Sequence, residues 1–251
     1  MGKVIAINIQ KGGCGKSTTV QAIASCLSKR KYKCLVIDLD PQGNLSFSSG
    51  VEGAEKTTYE LLKGENSFNE TVVHKNEYDI VPANILLSGA DQEFTKTGRE
   101  YILKDRIDEV KNQYDFIILD TPPSLGILSV NSLTASDFVI IPTEPSFYAM
   151  QGLGQLNDTI ESVKKYCNKE LKVLGLLLVK FNERTILNRQ IKEMLESSAE
   201  LMNTKVFNTY IRESIVVREA QALQKSLFEY APQSNPCIDY NSFVDELLKE
   251  I

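Results

Sequence analysis

Two lysines, three glycines, a serine and three aspartates carry the chemistry expected of this 251-residue chain. Residues 10–19 read Gln-Lys-Gly-Gly-Cys-Gly-Lys-Ser-Thr-Thr. Gly12, Gly13 and Gly15 allow a backbone that wraps closely around an anion, with N–H groups turned inward. Lys16 places a point charge against the β and γ phosphates of a nucleoside triphosphate, and the Ser17 hydroxyl is suited to ligate Mg²⁺. Cys14 fills the variable position of the loop as a small side chain, and a thiol at a helix start could also be sensitive to oxidation. Thr18 follows at the first turn of the expected helix. Two further acids end apolar runs: Asp38 after Cys34–Ile37, and Asp120 after Phe116–Leu119. Buried strands have little structural use for a terminal carboxylate, so metal or water binding is the favoured reading. Asp40, two residues beyond Asp38, stands where a water-orienting carboxylate would be useful; Asp40-Pro-Gln-Gly also has the composition of a plain turn.

The elements that must position these groups alternate in type. Strand-like apolar runs fall at 3–9, 33–38, 78–82, 114–119, 137–141 and 171–179. Helical patterning covers 18–27, 86–96, 99–112, 124–135, 147–166, 186–202 and 239–250, and Thr57-Thr-Tyr-Glu60 is a capping box opening a short helix through Leu62. The alternation predicts an α/β fold, a doubly wound and mostly parallel sheet flanked by helices; the glycine loop at its first strand-to-helix turn resembles that of P-loop NTPases. Ligands in such sheets bind beyond the carboxyl ends of the strands, so Asp38 and Asp120 should emerge on the same rim as the glycine loop. No repeat, low-complexity tract or linker divides the chain, and residues 1–251 are read as a single domain.

Composition narrows the class. The chain is 42% hydrophobic and 24% charged, with a net charge of −5, which suits a globular protein with a substantial core. No apolar run approaches the ~20 residues needed to cross a bilayer. The chain opens directly on a strand, which predicts no cleaved leader. Five cysteines without a Cys-x-x-Cys pair suggest reduced thiols in a cytoplasm. The single histidine, His74, reads as a loop or edge residue. Charge is uneven: Lys180 to Lys225 holds eight Lys/Arg against six Asp/Glu while the rest is acidic, so a modest basic face could arise there.

The second lysine, Lys11, gives the loop the form K-G-G-x-G-K-[ST], and the chain thereby resembles the ParA/MinD ATPases with a deviant Walker A motif. Three later segments match that family in order. Asp38-Leu-Asp-Pro-Gln-Gly-Asn44 resembles its switch I, and Phe116-Ile-Ile-Leu-Asp-Thr-Pro-Pro123 its Walker B strand running into switch II. Ile211-Arg-Glu-Ser-Ile-Val-Val-Arg-Glu-Ala220 is similar to the late segment of plasmid-type and Soj-like ParA proteins. The resemblance implies an ATP- and Mg²⁺-dependent hydrolase in which Lys16 and Ser17 meet phosphate and metal. It implies that Asp38 and Asp120 hold Mg²⁺ directly or through its waters, and that Asp40 positions the attacking water. Lys11 would reach the phosphates bound by the other subunit of an ATP sandwich homodimer. Asn182 and the segment ending at Pro232 would meet the adenine.

For partners, the resemblance implies nonspecific duplex DNA, contacted by Arg184, Arg212 and Arg218, and a ParB-like centromere-binding protein that stimulates hydrolysis. The location would be cytoplasmic and nucleoid-associated. Chromosomal Soj-like chains carry Pro-Arg-Asn-Val-Arg where this one reads Arg212-Glu-Ser-Ile-Val-Val-Arg218, which leans the cargo toward a plasmid or mobile element. Two related readings are less well supported. A MinD-like positioning ATPase would end in a basic amphipathic helix, whereas residues 239–251 carry four acids against one lysine, so no membrane partner is expected. A redox ATPase like the nitrogenase iron protein needs cysteines near switch II, and none lies between Cys34 and Cys167.

Overall fold

The computed structural model describes residues 2–146 and 149–251. Its strands are β1 (Lys3–Ile7), β2 (Cys34–Asp38), β3 (Asp79–Val81), β4 (Phe116–Asp120), β5 (Phe138–Thr143), β6 (Lys172–Phe181) and β7 (Ile211–Arg212). They form one sheet in the order β3-β2-β4-β1-β5-β6-β7, and every neighbouring pair is parallel. The sequence rule behind this is continuous apolarity: β2 and β4 are buried at every position, as strands covered on both faces must be. Alternate residues feed opposite cores. Val4 and Ala6 of β1 join one cluster, Ile5 and Ile7 the other.

Helices cover both faces. α1 (Lys16–Lys29), α2 (Asn44–Ser48), α3 (Thr58–Lys63), α4 (Ile102–Val110), α5 (Ile127–Ala135), α6 (Ala149–Tyr166), α7 (Ile186–Leu201), α8 (Ile215–Ala222) and α9 (Asn235–Leu247) follow in chain order, with short turns between them. α1 and α9 pack on the Ile5/Ile7 side, while α4 to α7 pack on the Val4/Ala6 side through Leu103, Leu133, Leu156 and Leu195. The capping box at Thr57 and Glu60 forms as the sequence predicts.

Several boundaries differ from the sequence reading, for local reasons. The helix expected at 86–96 is a 3₁₀ turn, Ile85–Gly89, followed by one turn at Ala90–Glu93; Asn84 caps it by accepting from the Leu86 N–H. The helix expected from 124 starts at Ile127, whose N–H donates to the Asp91 carboxylate at 2.7 Å. The start expected at 147 lies outside the described residues, and α6 is described from Ala149. The last helix starts at Asn235 instead of 239, with Pro236 in its first turn, a position where a missing N–H costs nothing. β7 and α8 have no counterpart in the sequence reading; β7 is only two residues long, too short for a periodicity to show.

The acids of the C-terminal segment are engaged in docking α9. Asp239 pairs with Arg212, Asp245 with Arg30, and Glu250 with Lys205. Glu246 accepts from the N–H groups of Asn208 and Thr209. The apolar face of the same helix, Tyr240, Phe243, Val244 and Leu247, is almost wholly buried. No helix among the described residues is long and apolar enough to cross a membrane.

Candidate nucleotide site

The glycine loop joins β1 to α1 at the carboxyl end of the sheet. Gly13 and Gly15 take positive φ, 73° and 80°, and Gly15 is the residue before the first turn of α1. A side chain at either position would strain the backbone, so both glycines are required by geometry. The result is the start of a 14-residue helix presented to the sheet rim, where free N–H groups and the helix dipole favour an anion.

Lys16 is buried at 6% exposure and its ammonium folds back on the loop, donating to the Lys11 carbonyl at 3.1 Å. Cys14 donates to the same carbonyl. Burial raises the Cys14 thiol pKa, with the Lys16 and Lys11 charges only partly opposing it. That is the direction for an inert thiol, so Cys14 acts as a small packed side chain here. Thr18 accepts from the Gln221 amide at 2.9 Å, tying the loop helix to α8.

Asp38 and Asp120 are paired in register on β2 and β4, on the rim where the sequence places them, and both are fully buried. Their surroundings differ. Asp38 accepts from the Ser46 hydroxyl at 2.6 Å, the Ser46 N–H at 2.9 Å and the Asp40 N–H at 3.1 Å. It thereby shapes the loop carrying Asp40 and α2. Asp120 has no hydrogen-bond partner for either carboxylate oxygen among the described residues. Burial pushes its carboxyl well above the ordinary range; the charge of Asp38 adds to this, and Ser17 and Lys16 oppose it. Burial likewise raises Asp38 to about 6, against the hydrogen bonds from Ser46 and Asp40.

An unpartnered buried carboxylate beside a lysine and a serine fits a hydrated Mg²⁺, which takes one or two carboxylates and keeps several waters. Asp120 and Ser17 are the residues suited to hold it, whereas the oxygens of Asp38 are committed to Ser46 and Asp40. Asp40 is 6% exposed, accepts from the Gln42 N–H at 3.0 Å and lines the cavity above the loop.

That cavity has a volume of about 620 Å³, a size suited to a nucleotide. Gly12, Gly13, Gly15, Lys16, Ser17 and Thr18 form one wall, the turn after β2 supplies Asp40, and α2 supplies Phe47. The far wall is Ile211, Val217 and Arg218 from β7 and α8. Asn182 and Pro232 are exposed and lie outside this lining. Asn182 is instead spent on its own turn, accepting from Arg184 and Asn188. The structure therefore does not bring these two expected adenine contacts to the cavity. It offers Phe47, Ile211 and Val217, to which sequence reading gave no contact; Ile211 and Val217 lie within the late motif, but a two-residue strand leaves no pattern that would turn them toward the cavity.

Of the three arginines, Arg212 is held by Asp239 through four hydrogen bonds, one from its backbone N–H. Arg184 and Arg218 are exposed and, among the described residues, make no ion pair. Arg218 stands at the cavity rim and Arg184 beyond β6.

Comparison with known proteins agrees with this geometry. A family model described as an AAA domain matches residues 2–173. The sporulation initiation inhibitor protein Soj of Bacillus subtilis is 38% identical over 98% of this chain and 98% of its own. The structure of cobyrinic acid a,c-diamide synthase from Mycobacterium smegmatis with bound ATP analog and magnesium is 32% identical, with a TM-score of 0.84 over 99% of this chain and 95% of that one. Apo McdA from Cyanothece is 25% identical, with a TM-score of 0.89 over 99% and 100%. A loop built for phosphate, two rim aspartates and relatives matched over nearly their whole length converge: the chain belongs to the AAA-domain family and, within it, to the ParA/Soj-type partitioning ATPases.

Proposed function

We propose that this chain is an ATP-switched DNA-partitioning protein: ATP and Mg²⁺ close a homodimer, the dimer binds nonspecific duplex DNA, and a ParB-like partner stimulates hydrolysis and release. The observation that carries this reading is the position of Lys11. Lys16 lines the cavity of its own loop, and Lys11 does not. Its ammonium lies 3.2 Å from Glu144 and 3.2 Å from Ser146. A loop cation that is held by a neighbouring carboxylate, and does not line its own phosphate cavity, supports a role toward the phosphates of a second copy. Dimerisation then depends on nucleotide because only ATP supplies the charge that Lys11 seeks.

Within one subunit, Lys16 exchanges the Lys11 carbonyl for phosphate oxygens and Asp40 orients the attacking water. A carboxylate beside a triphosphate acts by positioning more than by basicity. Bound Mg²⁺ would supply charge neutralisation at the phosphates, held by Ser17 and Asp120. Arg184 and Arg218, exposed and without an ion pair among the described residues, are cations suited to a DNA backbone, with contacts that are sequence-independent and salt-sensitive. α8 carries Arg218 and is tied to the phosphate loop through Gln221 and Thr18, so nucleotide state and DNA affinity share one helix. The location that follows is cytoplasmic and nucleoid-associated, with a plasmid or chromosome as cargo.

The test is binding to nonspecific duplex DNA with and without ATP–Mg²⁺ across a salt series, on the unsubstituted protein and on Lys11→Ala. Binding that requires ATP, weakens steeply with salt and is lost in Lys11→Ala supports the reading. Equal binding without ATP, or none at low salt, overturns its DNA arm.

A further inference from the structure

The ion pair that holds Lys11 has a third member. Lys180 lies with its ammonium 2.7 Å from the Gly13 carbonyl of the phosphate loop and 3.9 Å from the other carboxylate oxygen of Glu144. Two lysines from different segments thus converge on one carboxylate, Lys11 on Oε2 and Lys180 on Oε1. Glu144 follows directly on β5, whose neighbour β6 carries Lys180, so the sheet itself sets the spacing.

Lys180 occupies a special position on β6. The register between β6 and β7 shifts between Val179 and Phe181, so Lys180 is the extra residue of a bulge. Its φ is +52°, in the left-handed region that a lysine adopts only when its surroundings over-determine it. It is exposed between two buried neighbours, and it lines the nucleotide cavity. Bulges beside binding sites re-aim a side chain. Here the side chain is aimed at the phosphate loop and at Glu144, and sequence reading gave it no role.

We infer that Glu144 and Lys180 are positioning residues for Lys11: Glu144 tethers Lys11 within its own subunit, and Lys180 takes over the carboxylate when Lys11 crosses to the partner. The inference rests on the proposed role of Lys11 across the dimer. Charge is the reason both residues are needed. If Lys11 left alone, Glu144 would stand as an unpaired anion at the lip where a triphosphate carries further negative charge. Lys180, already 3.9 Å away, needs a shift of only about 1 Å to form a close ion pair. Glu144 stays neutralised, and the Gly13 carbonyl is released as the loop receives its anion. The tether sets how much ATP-state affinity is required before Lys11 is given up. Lys180 lowers that requirement.

The experiment measures the homodimer dissociation constant by sedimentation in the presence of a non-hydrolysable ATP analogue and Mg²⁺. It uses the full chain, Glu144→Gln, Lys180→Met, Lys180→Arg and the double variant. Glu144→Gln frees Lys11 and should tighten the dimer about threefold to fivefold, the size of one half-exposed ion pair. Lys180→Met should weaken it by a similar factor, and Lys180→Arg should behave as the unsubstituted chain. In the Glu144→Gln background, Lys180→Met should have no further effect, because Lys180 acts only through that carboxylate. A Lys180→Met effect that persists in this background would show a direct contact with nucleotide and overturn the inference, as would a dimer indifferent to Glu144. An unsubstituted chain that never dimerises with the analogue overturns the dimer reading as well. Thermal unfolding of each variant separates a folding defect from these outcomes.

Discussion

Asp38 and Asp120 sit side by side on adjacent parallel strands, yet one carboxylate accepts three hydrogen bonds and the other, among the described residues, accepts none within bonding distance. The asymmetry assigns them different work. Asp38 organises the switch segment through Ser46 and the Asp40 N–H. Both Asp120 oxygens lack a hydrogen-bond partner among the described residues, which suits them to a ligand outside the polypeptide. A bare carboxylate buried beside another acid costs stability in the metal-free protein, and this cost is removed when a cation binds.

Replacing Asp120 with asparagine should therefore have opposite effects on stability and on binding. Asp120→Asn removes the buried charge at nearly constant shape, so the metal-free protein should melt at a higher temperature. Its affinity for ATP–Mg²⁺ should fall at least about tenfold, while nucleotide binding without Mg²⁺ changes little. Thermal unfolding and nucleotide titration with and without Mg²⁺ check both halves. A lowered melting temperature in the metal-free state would show Asp120 paired inside the fold.

The same pair sets a pH dependence whose sign can be worked out. The Asp38 carboxyl is raised to about 6 in the folded chain from an ordinary 3.8. Between those values the native state holds more protons than the unfolded one, so metal-free stability falls as pH rises through that window. The lowered carboxyl of Glu70, at about 2, acts below this window and in the other direction. Urea unfolding from pH 4 to 7 without metal should show the decline, and the series on Asp120→Asn should flatten it. A curve that rises through the window would contradict the assignment.

Much of this architecture was legible in the chain because it rests on continuous apolar runs and on glycines whose spacing has one use. β1, β2 and β3 fall within the expected segments, β4 runs one residue past its own, and the aspartates that end β2 and β4 emerge on the expected rim. The far wall of the cavity lies in a motif the sequence does show, but its apolar contacts were not legible. Ile211 and Val217 lie on a two-residue strand and an eight-residue helix, placed by β6 and by the Arg212–Asp239 pair, whose members are 27 residues apart. Asn182 and Pro232 follow from resemblance alone, and the cavity wall is built from other residues. The partners of Asp38 were invisible for a similar reason: Ser46 is eight residues away and is oriented by accepting from the Ala83 N–H.

Ser46 gives a prediction of its own. Its hydroxyl donates to Asp38 at 2.6 Å and accepts from Ala83 at 2.9 Å, with Ser46 itself 1% exposed. Ser46→Ala leaves a buried carboxylate oxygen and a backbone N–H each short of a partner, which should destabilise the fold by about 2 kcal/mol. Loosening of the switch segment should also lower ATP turnover more than ATP affinity, because Asp40 is held through the same carboxylate. Chemical unfolding and steady-state kinetics test the pair of effects; an unchanged turnover would separate Ser46 from the positioning of Asp40.

The two arginines of the late motif should behave as opposites. Arg212 covers Asp239, whose side chain is only 11% exposed, so Arg212→Ala leaves a nearly buried anion without its cation. The expected loss is about 1–2 kcal/mol, discounted for the 40% exposure of the guanidinium, and α9 should loosen from the sheet. Arg218 is exposed, and Arg218→Ala should change stability by less than about 0.5 kcal/mol. On nonspecific DNA the order reverses. Arg218→Ala should weaken ATP-dependent binding for every sequence and reduce the salt slope by about 1 for each phosphate it no longer neutralises. Once its stability loss is allowed for, Arg212→Ala should leave that slope unchanged. Urea unfolding beside a DNA titration over a salt series decides it: a reduced salt slope in a folded Arg212→Ala protein would move Arg212 to the DNA face and break the division drawn here.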